Sequence, residues 1–252
     1  MNLIILTRND EIGSRKYRIE DARAVHVLSV LKLGAGGSLE VGLVDGPIGT
    51  ATIVSTTDTR VDLEIAAWAD PPPVVPEIEL ICALPRPQTL KKILFSSAAM
   101  GVRTLHLIRA NRVEKSYFHS PLTEPDRQLP FLLEGLSQGK STRLPKIYVH
   151  DRFRRFFEDE VGAVEGKEAG TAVRLVCDPE SSSRLVDLAV DQSRRVTIAI
   201  GPEGGWVPFE IELMKSLGFQ PFRLGPWILR VEHAVVAALA QLEMAVAGRP
   251  SA

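Results

Sequence analysis

Between Val196 and Ala240 the chain twice runs from an apolar, strand-like segment into a glycine-proline break and then into a helix. No other stretch constrains the fold as much. Val196–Ile200 is apolar apart from Thr197, the composition of a strand covered on both faces. It stops at Gly201-Pro202-Glu203-Gly204-Gly205, where consecutive glycines permit backbone conformations that other residues resist. The next helix starts near Pro208, suited to a first turn, and ends at Gly218, suited to a C-terminal cap. Phe219–Leu224 reads as a second strand, Gly225-Pro226 breaks it, and an alanine-rich helix covers Val231–Ala247. Two adjacent parallel strands then end in such turns at one edge, where open α/β sheets bind ligands.

The segments leading up to this stretch alternate in the same way. Glu77–Leu84 reads as a strand, Leu90–Met100 as a helix stopped by Gly101, and Val102–Ile108 as a strand. A helix around Gln128–Leu136, a strand at Lys146–Val149, a helix at Arg152–Val161, a strand at Ala172–Cys177 and a helix at Arg184–Val190 follow. Such alternation predicts a mostly parallel sheet with helices on both faces. Residues 1–70 have a different rhythm. Ser38–Val44, Thr50–Ser55 and Val61–Ala67 are β-rich and separated by turns, including Asp45-Gly46, after a helix at Glu20–Leu33 closed by Gly34. Pro71-Pro72-Pro73 separates the two regimes as a linker, so the boundary is set near residue 73, between units 1–73 and 74–252.

Several function classes drop out. Gly135-Leu-Ser-Gln-Gly139-Lys140-Ser141 has three residues between its glycines where a P-loop needs four, and it follows a helix rather than a strand. The five histidines, His26, His106, His119, His150 and His233, have no ligand-like spacing, so no metal is expected. Cys82 and Cys177 sit in apolar runs, as buried thiols in a reducing compartment do. No apolar run reaches membrane-spanning length and the first residues lack a signal-peptide pattern, so the expectation is a cytoplasmic protein with no membrane contact.

The whole string is more specific than its glycines. Ile200-Gly-Pro-Glu-Gly-Gly205, followed about twenty residues later by Leu224-Gly-Pro-Trp-Ile-Leu-Arg-Val-Glu-His-Ala234, resembles the RsmE-type 16S ribosomal RNA uridine-N3 methyltransferases of the SPOUT class. His26-Val-Leu-Ser-Val-Leu-Lys-Leu33 and the hairpin after it resemble that family's amino-terminal PUA-like barrel, which helps hold RNA. The resemblance implies an α/β fold: a SPOUT-type knotted parallel sheet with helices on both faces, preceded by a small PUA-like β-barrel. A knot is a rare exception to the rules of chain connection, and no sequence pattern reveals one. The resemblance also implies S-adenosyl-L-methionine as cofactor, held by Ile200, Gly201, Pro202, Glu203, Gly204, Gly205, Leu224, Gly225, Ile228 and Leu229. It implies a homodimer, for which Val235, Val236, Leu239, Leu242, Met244 and Val246 put apolar groups on more than one face of the last helix.

Charge points to the partner. Although the chain as a whole carries a net charge of −1, residues 86–146 hold 11 basic and 4 acidic side chains. A basic patch on a near-neutral protein localises RNA contact. Arg86, Lys91 and Lys92 resemble the family's loop and helix after the first strand of the methyltransferase unit, and Gln138, Arg143 and Pro145 fall at its Gln…Arg-x-Pro spacing. With Lys140 they are the candidate contacts to ribosomal RNA or an assembled small subunit. For the chemistry, uracil N3 is a poor nucleophile until it loses its proton, which puts negative charge on the ring oxygens. A guanidinium stays protonated and stabilises that charge, and Arg230 is the candidate. Glu232 either orients Arg230 or caps the last helix through its dipole. The chain departs from the family pattern at Trp227 (usually Arg), His233 (usually Thr), Ser137 and Ser141, positions that face RNA. Two rivals stay open: methylation of a different RNA position, and a non-catalytic RNA-binding ribosome-assembly factor.

Overall fold

A computed structural model describes residues 2–70, 76–162, 172–188, 190 and 195–247. The proline linker at 71–73 and the boundary set there lie outside the described residues. The amino-terminal unit is one six-stranded sheet in the order β1-β4-β5-β6-β3-β2. Its strands are β1 (Ile4–Leu6), β2 (Glu11–Gly13), β3 (Lys16–Ile19), β4 (Ser38–Leu43), β5 (Ile48–Thr56) and β6 (Val61–Ala69). All neighbours are antiparallel except β1 and β4. The expected helix is present in a shorter, looser form, α1 (Ala22–Val25), which widens into a π-helical turn over His26–Val30. Its Ala24 and Val27 are buried with Tyr17, Ile19, Val41, Ile53 and Leu63. The first three strands escape sequence reading because each is only three or four residues long. Moreover, β1 and β3 find their partners β4 and β6 far along the chain.

The second unit is a six-stranded sheet in the order β12-β10-β11-β7-β8-β9, every neighbouring pair parallel. Its strands are β7 (Ile78–Ala83), β8 (Val102–Ile108), β9 (Lys146–His150), β10 (Ala172–Cys177), β11 (Arg195–Ile200) and β12 (Gln220–Phe222). Helices cover both faces. Against one lie α2 (Pro87–Ala99), α3 (Pro125–Gly139) and α6 (Val231–Ala247), with Leu80, Leu90, Leu94, Leu136, Ile198, Val235 and Leu239 in their shared core. Against the other lie α4 (Phe153–Arg155, continued as a π-helical turn, Phe156–Val161) and α5 (Pro208–Ser216), around Ile81, Phe156, Phe157, Ala199 and Met214.

Two expectations need correction. The helix read over Arg184–Val190 is a single 3₁₀ turn, Leu185–Asp187, whose capping contacts are the Arg184 amide and guanidinium on the Asp187 carboxylate. Leu188 is already extended, so the turn cannot propagate. The strands that precede the two glycine-proline turns are not neighbours either. β10 lies between β11 and β12 and pairs with both.

The two units share one strand. In β1 and the residue before it, alternate side chains point to opposite faces. Leu3 and Ile5 therefore bury in the core of the parallel sheet, whereas Ile4 and Leu6 bury in the amino-terminal core. The seam continues in hydrogen bonds. Ser137, expected to face RNA, is instead buried: it accepts the amides of Asn2 and Leu3 at its carbonyl and donates its hydroxyl to the Leu3 carbonyl (2.5 Å). The Asp45 amide donates to the Thr142 carbonyl, and the Asp45 carboxylate accepts the Leu144 amide.

Candidate active site

Both glycine-proline turns stand at the carboxyl edge of the parallel sheet, after β11 and β12. The first, 201–207, is a tight loop. Gly205 has φ +73°, a region that favours glycine, and its amide donates to the Pro202 carbonyl. Pro202 is buried, while Glu203 and Gly204 face outward. The Trp206 ring lies on the backbone at Gly201, where a Cβ would come within 3.1 Å of it, and its Nε1–H donates to the Cys177 carbonyl at 3.2 Å. Burial pushes the Cys177 thiol up to about 12, so it stays protonated there.

The second loop, 224–230, is anchored at its start, where Gln241 of α6 donates to the Leu224 carbonyl at 2.8 Å. It is anchored at its end by the Arg230 carbonyl, which accepts the amides of His233 and Ala234 and so opens α6. Between these anchors the amides of Gly225, Trp227, Ile228 and Leu229 donate to no acceptor among the described residues. Trp227 and Ile228 are each 79% exposed. A Cβ on Gly225 would meet nothing within 4 Å, so the backbone there is open to close approach. A loop with anchored ends and such N–H groups has donors free to meet a polar ligand in place of water.

Arg230 is exposed and its side chain makes no hydrogen bond or ion pair among the described residues. Two residues on, the Glu232 side chain is buried in the first turn of α6. It accepts from its own amide and, at 3.2 Å, from the Lys92 ammonium on α2. Its own amide, against the cost of burial, and the Lys92 ammonium hold its carboxyl below the usual carboxylate range. Of the two roles offered for Glu232, the contacts match helix capping, an anion at a helix amino terminus, and not orientation of Arg230. Lys92, read as an RNA contact, thus stands beside the residues read as catalytic.

The other basic candidates are spread more widely. Arg86 caps the start of α2 and its guanidinium donates to Thr89. Lys91 lies over the Phe131 ring. Gln138 and Lys140 fall at the seam, where the Gln138 carbonyl accepts from Asn2 and Lys140 pairs with Glu40, whereas Arg143 approaches Glu77 of its own unit at 3.8 Å. Sequence reading passed over Arg112 and Glu210. Arg112, in the loop after β8, donates to the Gly204 carbonyl. Glu210 is 2% exposed on α5 and accepts the amides of Val207 and Asn111.

With this geometry in view, the RNA methyltransferase domain family matches residues 71–243. The chain belongs to that family. Among relatives of this RNA methyltransferase chain, the "Ribosomal RNA small subunit methyltransferase E" of Treponema pallidum is 28% identical over 241 residues, covering 95% of this chain and 90% of that one. The protein of the same name from Bacillus subtilis is 21% identical, covering 95% and 94%. Among solved structures, a ribosomal RNA small subunit methyltransferase E from Neisseria gonorrhoeae, bound to S-adenosyl methionine, has a TM-score of 0.76 at 21% identity, covering 97% and 98%. A putative methyltransferase from Legionella pneumophila, in complex with the same cofactor, also scores 0.76 at 24% identity, covering 98% and 99%. The fold of this methyltransferase is therefore theirs along nearly its whole length.

Proposed function

We propose that this RNA methyltransferase transfers a methyl group from S-adenosylmethionine to N3 of a uridine in 16S ribosomal RNA. The observation that carries the reading is the juxtaposition, at one sheet edge, of loop amides and a guanidinium that have no partner among the described residues, the guanidinium standing two residues from a buried carboxylate. The names of the relatives, and the cofactor in two solved neighbours, support it.

The residues present fit the cofactor. The backbone amides of Gly225, Trp227, Ile228 and Leu229, with no Cβ on Gly225, suit the hydrogen-bonding edges of adenine and ribose. Ile200, Gly201, Pro202, Glu203, Gly204 and Gly205 would form one wall, and Leu224, Gly225, Ile228 and Leu229 the other. When bound, S-adenosylmethionine supplies an electrophilic methyl carbon, so the task left to the chain is orientation. Arg230 stabilises the negative charge that the uracil oxygens acquire as N3 loses its proton. Glu232 and Lys92 keep the start of α6, and with it Arg230, in place.

RNA is held by Arg86, Lys91, Gln138, Lys140 and Arg143 together with the amino-terminal unit, which we read as a PUA-like barrel ending near residue 73. A knotted carboxy terminus is part of this reading, in which the chain returns from edge strand β12 to bury α6 against α2. A homodimer is supported by what α6 leaves uncovered. Val235, Leu239, Leu242 and Val246 bury within the chain, whereas Met244 is 74% and Val236 40% exposed. No helix among the described residues is long and apolar enough to cross a membrane, and ribosomal RNA as substrate fits the cytoplasm.

Mass spectrometry of 16S rRNA nucleosides from a deletion strain tests the function. Loss of 3-methyluridine, restored by the wild-type gene, is the expected result. Loss of another methylated nucleoside would move the target base, and an unchanged profile would leave an RNA-binding factor.

A further inference from the structure

The Glu210 carboxylate is spent on two loops. Its Oε2 accepts the Val207 amide at 2.9 Å, half of the reciprocal contact that commonly closes a helix amino terminus. Capping does not explain its other oxygen. Oε1 accepts the Asn111 amide at 2.6 Å, 99 residues away, in the loop after β8. The side chain is 2% exposed, and among the described residues no cation pairs with it. A carboxylate taken out of water needs hydrogen-bond partners, and here each of its two oxygens has one, on a different loop. The same two loops meet once more, where Arg112 donates to the Gly204 carbonyl and a Cβ on Gly204 would lie 3.1 Å from the Arg112 side chain.

We propose that Glu210 is a positioning residue that locks the glycine-rich loop 201–207 to the cationic loop Arg109–Val113, so that the cofactor wall and the RNA-facing edge form one rigid unit. This rests on the cofactor reading of 201–205 given above. Arg112 is the outer contact of the same lock: one N–H holds Gly204, and the rest of the exposed guanidinium faces the edge where RNA phosphate would approach. A glutamine at 210 offers one acceptor oxygen and an NH₂ group, which cannot accept an amide proton, so Glu210→Gln opens one side of the lock with little change in volume.

The test compares Glu210→Gln, Arg112→Ala and a control on the same helix, Glu212→Gln, whose side chain is exposed and pairs with Lys215. Amide hydrogen exchange without any ligand reads the lock itself. In Glu210→Gln the Asn111 or Val207 amide should lose about tenfold or more of its protection, with the control unchanged, as expected for a broken hydrogen bond to a charged acceptor. Methylation kinetics reads positioning: KM for S-adenosylmethionine should rise about tenfold in Glu210→Gln and less in Arg112→Ala, with kcat within about threefold. Unchanged protection overturns the proposal, and so does lost stability with an unchanged KM. A wild-type protein that neither binds nor uses S-adenosylmethionine would sink the proposed function instead, and the exchange result would still decide whether Glu210 holds the loops together.

Discussion

At the scale of single residues, the site separates groups that are committed from groups that are free. Glu232 and Lys92 satisfy each other, whereas Arg230 has no partner among the described residues and so can meet charge that appears only during reaction. Arg230→Ala should therefore lower the single-turnover methylation rate by about 10²–10³-fold, the usual cost of losing one donor to a developing anion, with cofactor affinity nearly intact. Arg230→Lys should restore little, because an ammonium does not present a planar fork of donors. Rate at saturating RNA is the measurement; full rate with weakened RNA affinity would reassign Arg230 to binding. Gly204→Val is the complementary change. Its branched side chain would press on Arg112 from a Cβ only 3.1 Å away, so calorimetry should show weaker S-adenosylmethionine binding.

At the scale of elements, two contacts carry consequences. Gly135 and Gly139 lie about one turn apart on α3 and let it approach the backbone of α2. A Cβ at Gly135 would stand 2.2 Å from the Phe95 carbonyl oxygen, and one at Gly139 2.3 Å from that of Ala99. Gly135→Ala must push the helices apart and should cost at least about 1–3 kcal/mol in urea denaturation. The second contact is a polar line across the opposite sheet face. His106 bridges Glu79 and His150 at 3.0 Å each, and His150 stands 3.3 Å from Glu160. Burial, against the pull of Glu160, lowers the His150 pKa below the ordinary imidazole value of 6.5. The unfolded chain then binds the proton more readily, so this contribution to stability is full above about pH 6.5 and declines as pH falls through the lowered value. Glu79 is held below the carboxylate range, where His106 and Thr197 outweigh burial, so its contribution goes only at lower pH. A melting-temperature series from pH 8 to 4 should fall first in the imidazole range, and His150→Gln should flatten that first step.

At the scale of the whole molecule, β1 makes two cores interdependent. Ile5 is 2% exposed in the core of the parallel sheet, and its neighbours Ile4 and Leu6 are equally buried in the other core. Ile5→Ala should cost about 2–5 kcal/mol and loosen the seam as well as the core. Urea unfolding followed by fluorescence of Trp68 alone, with Trp206 and Trp227 replaced by Phe, should then separate from the far-ultraviolet transition that coincides with it in the parent. Removing Lys140 and Arg143 together should weaken RNA binding and flatten its salt dependence, by about one unit of slope for each phosphate no longer neutralised. If affinity and slope stay the same, these two residues serve their ion pairs instead, Lys140 with Glu40 across the seam and Arg143 with Glu77.

Local pattern by itself determined the parallel sheet, its long helices and the two loops of the site. Apolar runs, proline at first turns and glycine at 101, 201, 204, 205, 218 and 225 state backbone preferences that need no distant partner. The motif at 200–234 likewise led to a family that the match over 71–243 bears out. What local pattern could not carry was anything settled between residues far apart in the chain. The short strands β1 and β3 exist only because distant partners complete their ladders, Val41 opposite Ile4 and Glu64 opposite Lys16. The insertion of β10 between β11 and β12 follows from sheet order, which hydropathy does not encode. Glu210 looks like an ordinary capping residue until folding brings Asn111 to its second oxygen. Glu232 is ambiguous for the same reason: its partner is Lys92, 140 residues earlier, and hydrogen bonds are short-range, so only the folded chain selects between its two roles.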